Sequence, residues 1–221
     1  MVDVVNTVNH DKINGLIMNP EDVSTYFTRQ VRNLYKGLPI TLYGSIVTAI
    51  LVAVISWKIK PADIILYWLG IYSVLILLRG LSYQAYLSSR LNPLDTGFWM
   101  LLLVAGCFIS GALWSSFAMM YSGEASLGPN QILFFHAFMI SVMVALNFWA
   151  MLMYSTNVIV FLSFSVSSVF PYSLFLCLSQ NNSLITLGLV LMLCYCLLFV
   201  ICLKQSSRIN NKLKSDLITT Q

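Results

Sequence analysis

From Ala125 to Leu203 the chain contains no aspartate, glutamate, lysine or arginine. Over all 221 residues only 9% are charged, against roughly 25% in soluble domains. With 58% of its residues hydrophobic, the chain carries more apolar surface than one water-soluble core can hide, and lipid is the solvent that suits it. No apolar run holds a carboxylate in its interior, because Asp63 and Glu124 fall at run ends. That argues against a proton-coupled transporter, which keeps an ionisable acid inside the membrane.

Catalytic patterns are missing too. There is no P-loop, no HExxH, no glycine-rich phosphate cradle and no nucleophile beside a base. No enzymatic activity, cofactor or metal is expected. Cys107, Cys177, Cys194, Cys196 and Cys202 all fall in apolar runs, where cysteine is a small packing residue. The few basic residues give no footprint for a nucleic acid. A cleavable signal peptide is not expected either, since the first apolar run starts near Leu38, behind Asp3, Asp11, Glu21 and Asp22.

What remains is six runs of about 20 apolar residues, each long enough to cross a bilayer. The first covers 38–57 and stops at Lys58, Lys60 and Pro61. The second begins near Ala62 and continues past Arg79 through Tyr83 and Tyr86; the third covers 97–121, after the turn "NPLD" at 92–95. The uncharged stretch is too long for two spans. The turn-forming strings "YSTN" at 154–157 and "SQNNS" at 179–183 cut it into spans at about 131–153, 158–178 and 183–203. The fold class is therefore an all-α polytopic membrane domain with six transmembrane helices.

With both termini cytoplasmic, Lys12, Arg29, Arg32, Lys36, Arg79, Arg90, Lys204, Arg208, Lys212 and Lys214 lie inside, and only Lys58 and Lys60 outside. The positive-inside rule selects this N-in, C-in orientation. Trp57 and Trp99 fall at span ends, as in an aromatic belt, whereas Trp68 and Trp149 lie deeper and are expected between helices.

Residues 1–18 read as a disordered tail. From 19 to 37, Asn19 is a cap with Pro20 at the first helical position. Val23, Phe27, Val31 and Leu34 form one stripe, with Arg29, Arg32 and Lys36 off it. The segment reads as an amphipathic helix at the inner membrane surface, or as a cytoplasmic helix packed on the C-terminal one. Residues 38–203 form the membrane domain, and 204–221 a cytoplasmic helical connector.

Polar residues inside spans are the candidates for sensing or helix packing. Arg79 is expected near the inner interface, its guanidinium snorkelling to the headgroups, with ligand binding as the other reading. His136 reads as a hydrogen bond between helices, or as a pH or ligand sensor. Asn147 and Asn157 read as helix glue or turn residues. "GCFISG" at 106–111 and "SFSVSS" at 163–168 offer small faces for close packing. Pro171 is a candidate hinge in the fifth helix.

Three stretches together resemble the six-helix N-terminal membrane region of bacterial GGDEF diguanylate cyclases and sensor histidine kinases. "RQVRNLYKGLPITLYGSIVTAILV" is similar to the lead-in and first helix of that region. "LLRGLSYQAYLSSR" looks like the end of its second helix, with Arg79 at the arginine. "ISGALWSSFAMMY" looks like its third helix, with Gly111 and Trp114 at the Gly-x-x-Trp positions. The likeness spans about 20–215. It implies a bacterial inner-membrane sensory module that passes a stimulus to a cytoplasmic output domain or partner protein. It also implies a homodimer. Ile209, Leu213 and Leu217, on one face of "KQSSRINNKLKSDL", are the candidate dimer connector, although the segment covers fewer than the three or four heptads of a coiled coil. The sequence holds no GGDEF motif, kinase histidine box or ATP-binding glycines. A small transport or channel component and a membrane-inserted structural or effector protein are the alternatives.

Overall fold

The computed structural model describes residues 20–57, 59, 61–89, 95–120 and 128–219. The tail at 1–18, the Asn19 cap and most of the 92–95 turn lie outside them. Six helices follow one another: α1 Pro20–Ser56, α2 Ala62–Ser88, α3 Thr96–Met119, α4 Pro129–Tyr154, α5 Val158–Cys177 and α6 Asn182–Thr219. No strand occurs among the described residues. All six helices are long and apolar enough to cross a membrane, and the chain is a multi-pass membrane protein.

Local chemistry sets the boundaries. Pro61 precedes α2, and Pro129 opens α4 where its missing N–H costs nothing. The turn at 154–157 is as tight as its residues imply: Asn157 caps α5 by accepting from the backbone N–H of Ile159 at 3.0 Å. Asn181 does the same for α6 through the N–H of Ser183 at 2.9 Å.

The amphipathic lead is not a separate helix on the membrane surface. It runs without a break into the first span, making α1 37 residues long. Val31 and Leu34 are buried in the core. Gln30, also buried, donates to the carbonyl of Thr156 at 3.1 Å and accepts from the Asn157 side chain at 3.5 Å. A stripe that finds helices to pack on has no need of the lipid interface. Pro39 lies within α1.

The helices form a layered bundle. α2 packs on α1 and α3; α1 and α3 pack on α4; α3 and α5 make the most extensive pair; and α6 packs on α5 and α4 at the far side. α2 and α6 are thus the two edge helices. Apolar side chains cover the outside, among them Leu66, Leu77, Leu81, Leu189, Leu193 and Val200. Lipid tails do not squeeze helices together as water does, so close packing must hold the bundle. The two small-residue faces supply it. A Cβ on Gly111 would collide with the Ser167 hydroxyl and the Phe164 carbonyl, so α3 and α5 meet nearly backbone to backbone.

Aromatic residues join α2 to α3. Trp68 stacks on Tyr72 with ring centres 5.2 Å apart and packs at 4.3 Å from Phe117. The Trp114 indole donates to the Tyr72 hydroxyl at 3.0 Å. Trp149 of α4 packs between helices as expected, its indole over Gly44 of α1, although it remains 39% exposed.

Candidate functional site: a buried arginine shared by four helices

Arg79 projects from α2 into the bundle and is 8% exposed. Its guanidinium donates to the Tyr154 hydroxyl at 3.2 Å, the Ser110 hydroxyl at 3.4 Å and the Cys107 sulfur at 3.5 Å. Tyr154 in turn donates to the Thr41 hydroxyl at 3.2 Å, and Thr41 to the carbonyl of Leu38 at 2.7 Å. One cation therefore ties α2 to α3, α4 and, through Tyr154, α1. Gly106 leaves room for the side chain, since a Cβ there would come within 3.3 Å of the Arg79 Nε.

Snorkelling is not what this side chain does. Side chains tilt toward the N terminus of their helix, and the N terminus of α2 is at the end opposite Tyr86. The tilt turns Arg79 away from the nearer interface and toward the middle of α3. From Thr96 to Ser110 is about 21 Å along that helix, and from Ser110 to Met119 about 14 Å.

Among the described residues all the partners of Arg79 are neutral, and none is a carboxylate. Three long contacts to hydroxyl and thiol groups are weak compensation for a cation taken out of water. The arrangement holds a positive charge by polar groups on two other helices, and any anion reaching the guanidinium would compete for it.

The other singled-out residues occupy separate places. His136, on α4, hydrogen bonds through Nδ1 to the Tyr172 hydroxyl of α5 at 2.9 Å and is 2% exposed. Asn147 donates to the carbonyl of Met143 at 2.8 Å and to the Ser168 hydroxyl at 3.3 Å, again joining α4 to α5; its side-chain carbonyl is buried without a partner. Pro171 lies within α5, one residue before Tyr172. Ile209 lies on α6, half-buried. The backbone of α6 continues through Leu213 and Leu217, but their side chains lie outside the described set. The structure does not bring Arg79, His136 and Asn147 into one site.

Sequence reasoning missed Thr41, Cys107, Ser110 and Tyr154. Thr41, Cys107 and Ser110 are ordinary residues in apolar runs and Tyr154 opens a turn string, and only the packing of four helices assembles them. No family model, no curated protein and no solved structure matches the chain.

Proposed function

We propose that the chain is a membrane-embedded sensory module, in the bacterial inner membrane, that relays a stimulus to a cytoplasmic output domain or partner protein. The observation that carries this reading is the Arg79 node. A cation buried without an acid is costly to keep, and an apolar side chain would pack there at less expense. Ionisable residues inside a membrane bundle are by default functional. A ligand or membrane state that draws on the guanidinium competes with Tyr154 and Ser110, and so favours one packing of α1–α4 over another. Differential affinity for two packings is what a signal requires. α4 packs on α6, and α6 continues for 38 residues as one helix, about 57 Å at 1.5 Å per residue. That exceeds the ~30 Å of a bilayer core, so its end reaches into the aqueous phase and can move with the bundle. A homodimer paired through this helix would give the movement something to act on.

The test uses the full chain in lipid vesicles with spin labels at Ser88 on α2 and Arg208 on α6. Arg79→Gln is expected to shift the distance between labels by about 1–2 Å or more, the scale of helix shifts in switching proteins. Arg79→Lys, which keeps the charge, should restore the parent distance at least in part. An unchanged distance in a folded Arg79→Gln protein would count against the relay. Ion flux through vesicles carrying the parent chain, abolished by Arg79→Gln, would favour the transport reading instead.

A further inference from the structure

Beside the C-terminal end of α2, Arg32 and Lys36 of α1 face Tyr83, Tyr86, Leu87 and Ser89 across a cleft of about 270 Å³. Arg32 and Lys36 are one helical turn apart and share a face of α1; Tyr83, Tyr86 and Leu87 share a face of α2. Both cations are exposed, and neither forms an ion pair among the described residues.

The floor of the cleft is aromatic and rigid. Tyr35 and Tyr86 stack with ring centres 3.9 Å apart, and Trp99 meets both edge-on at 6.0 and 5.6 Å. The two tyrosine hydroxyls have different fates. That of Tyr35 donates to the Trp99 carbonyl at 3.0 Å. That of Tyr86 is buried and has no hydrogen-bond partner, on a residue only 6% exposed. The Arg32 guanidinium is close enough to act on it electrostatically. A buried hydroxyl with nothing to bond is costly to keep, and here it belongs to a residue that lines a cleft holding two cations.

We propose that this cleft binds the phosphate of an anionic phospholipid headgroup. Tyr86 would donate its idle hydroxyl to one phosphate oxygen, with Arg32 and Lys36 neutralising the charge and Ser89 at the rim. The level fits. Trp99 is in the first turn of α3 and Tyr86 in the last turn of α2, where belt aromatics mark the headgroup layer. Basic pockets between helices at that depth are a known form of lipid headgroup site. Leu87, exposed on α2, gives the cleft an apolar edge. A lipid clamped there would hold α1 against α2.

The test is a titration of the purified full chain in zwitterionic detergent, read by tryptophan fluorescence and thermal unfolding. The probes are dioctanoyl phosphatidylglycerol, dioctanoyl phosphatidylcholine and inorganic phosphate. Phosphatidylglycerol should bind saturably and raise the unfolding midpoint, at least tenfold more tightly than phosphatidylcholine. Arg32→Gln with Lys36→Gln should abolish that preference. Tyr86→Phe removes only an unpartnered hydroxyl, so the lipid-free midpoint should stay or rise while phosphatidylglycerol binding weakens about tenfold. Equal binding of the two lipids, or full binding by Tyr86→Phe and the double variant, would overturn the proposal. Inorganic phosphate saturating the site as tightly as phosphatidylglycerol would overturn the lipid assignment.

Discussion

Arg79 and Tyr154 meet at 3.2 Å, joining the C-terminal half of an edge helix to the last residue of α4. The tyrosine hydroxyl accepts from the cation and donates to Thr41, so its polarity is used in both directions. Among the described residues no charge of opposite sign completes the chain of bonds.

Two substitutions separate the contribution of the charge from that of the hydroxyl. Tyr154→Phe removes an acceptor for a buried cation and should cost about 1.5–3 kcal/mol. Arg79→Met removes the cation together with its desolvation cost and should be near neutral or stabilising. Unfolding midpoints in detergent measure both. If Arg79→Met destabilises as much as Tyr154→Phe, the arginine is a structural pin, and the argument for a functional charge fails.

A second contrast concerns two glycines. Gly111→Ala drives a methyl into the Phe164 carbonyl and the Ser167 hydroxyl, and backbone cannot yield as a flexible side chain can. A loss of about 1–3 kcal/mol is expected, as for overpacked cores. Gly70→Ala meets nothing within 4 Å and should be neutral or stabilising by up to about 1 kcal/mol. Equal effects on the unfolding midpoint would mean that α3 and α5 do not cross at Gly111.

Six spans were legible because lipid demands a length and a polarity that no other environment does, and the turns at 154–157 and 179–183 carried their own capping asparagines. The small faces at 106–111 and 163–168 were legible as packing surfaces, and they do meet. The role of the lead helix was not legible. An amphipathic stripe says that one side is buried but not what buries it, and Val31 and Leu34 found protein where lipid was expected. Arg79 was misplaced for a related reason: its distance from Asp63 fixes the depth of its backbone, while the tilt of the side chain decides which way the guanidinium travels. The node around it was illegible, since Thr41, Cys107, Ser110 and Tyr154 come from three different helices.

Topology follows from the lysines and arginines. In a cysteine-free background, Asn181→Cys, at an exposed turn, should react with a membrane-impermeant maleimide in intact cells. Arg208→Cys, also exposed, should react only after permeabilisation. The reverse pattern would invert the chain and place the cleft of Arg32 and Lys36 in the opposite leaflet.

Pairing through α6 is the prediction on which the relay most depends. Ile209, Leu213 and Leu217 recur at helical spacing, with Lys204, Arg208, Lys212 and Lys214 on other faces. A segment of this length is marginal as a free helix in water. Here it is continuous with a membrane span, which prepays nucleation, and confinement to the bilayer raises the effective concentration of a second copy. Single cysteines introduced one at a time through 203–217 should therefore crosslink between chains in membranes with a period near 3.5 residues, strongest at 209, 213 and 217. A stripe that merely faces solvent would crosslink weakly and without period. That result would leave α6 as a single helix beyond the membrane, and the relay would have to run through a partner that binds one copy.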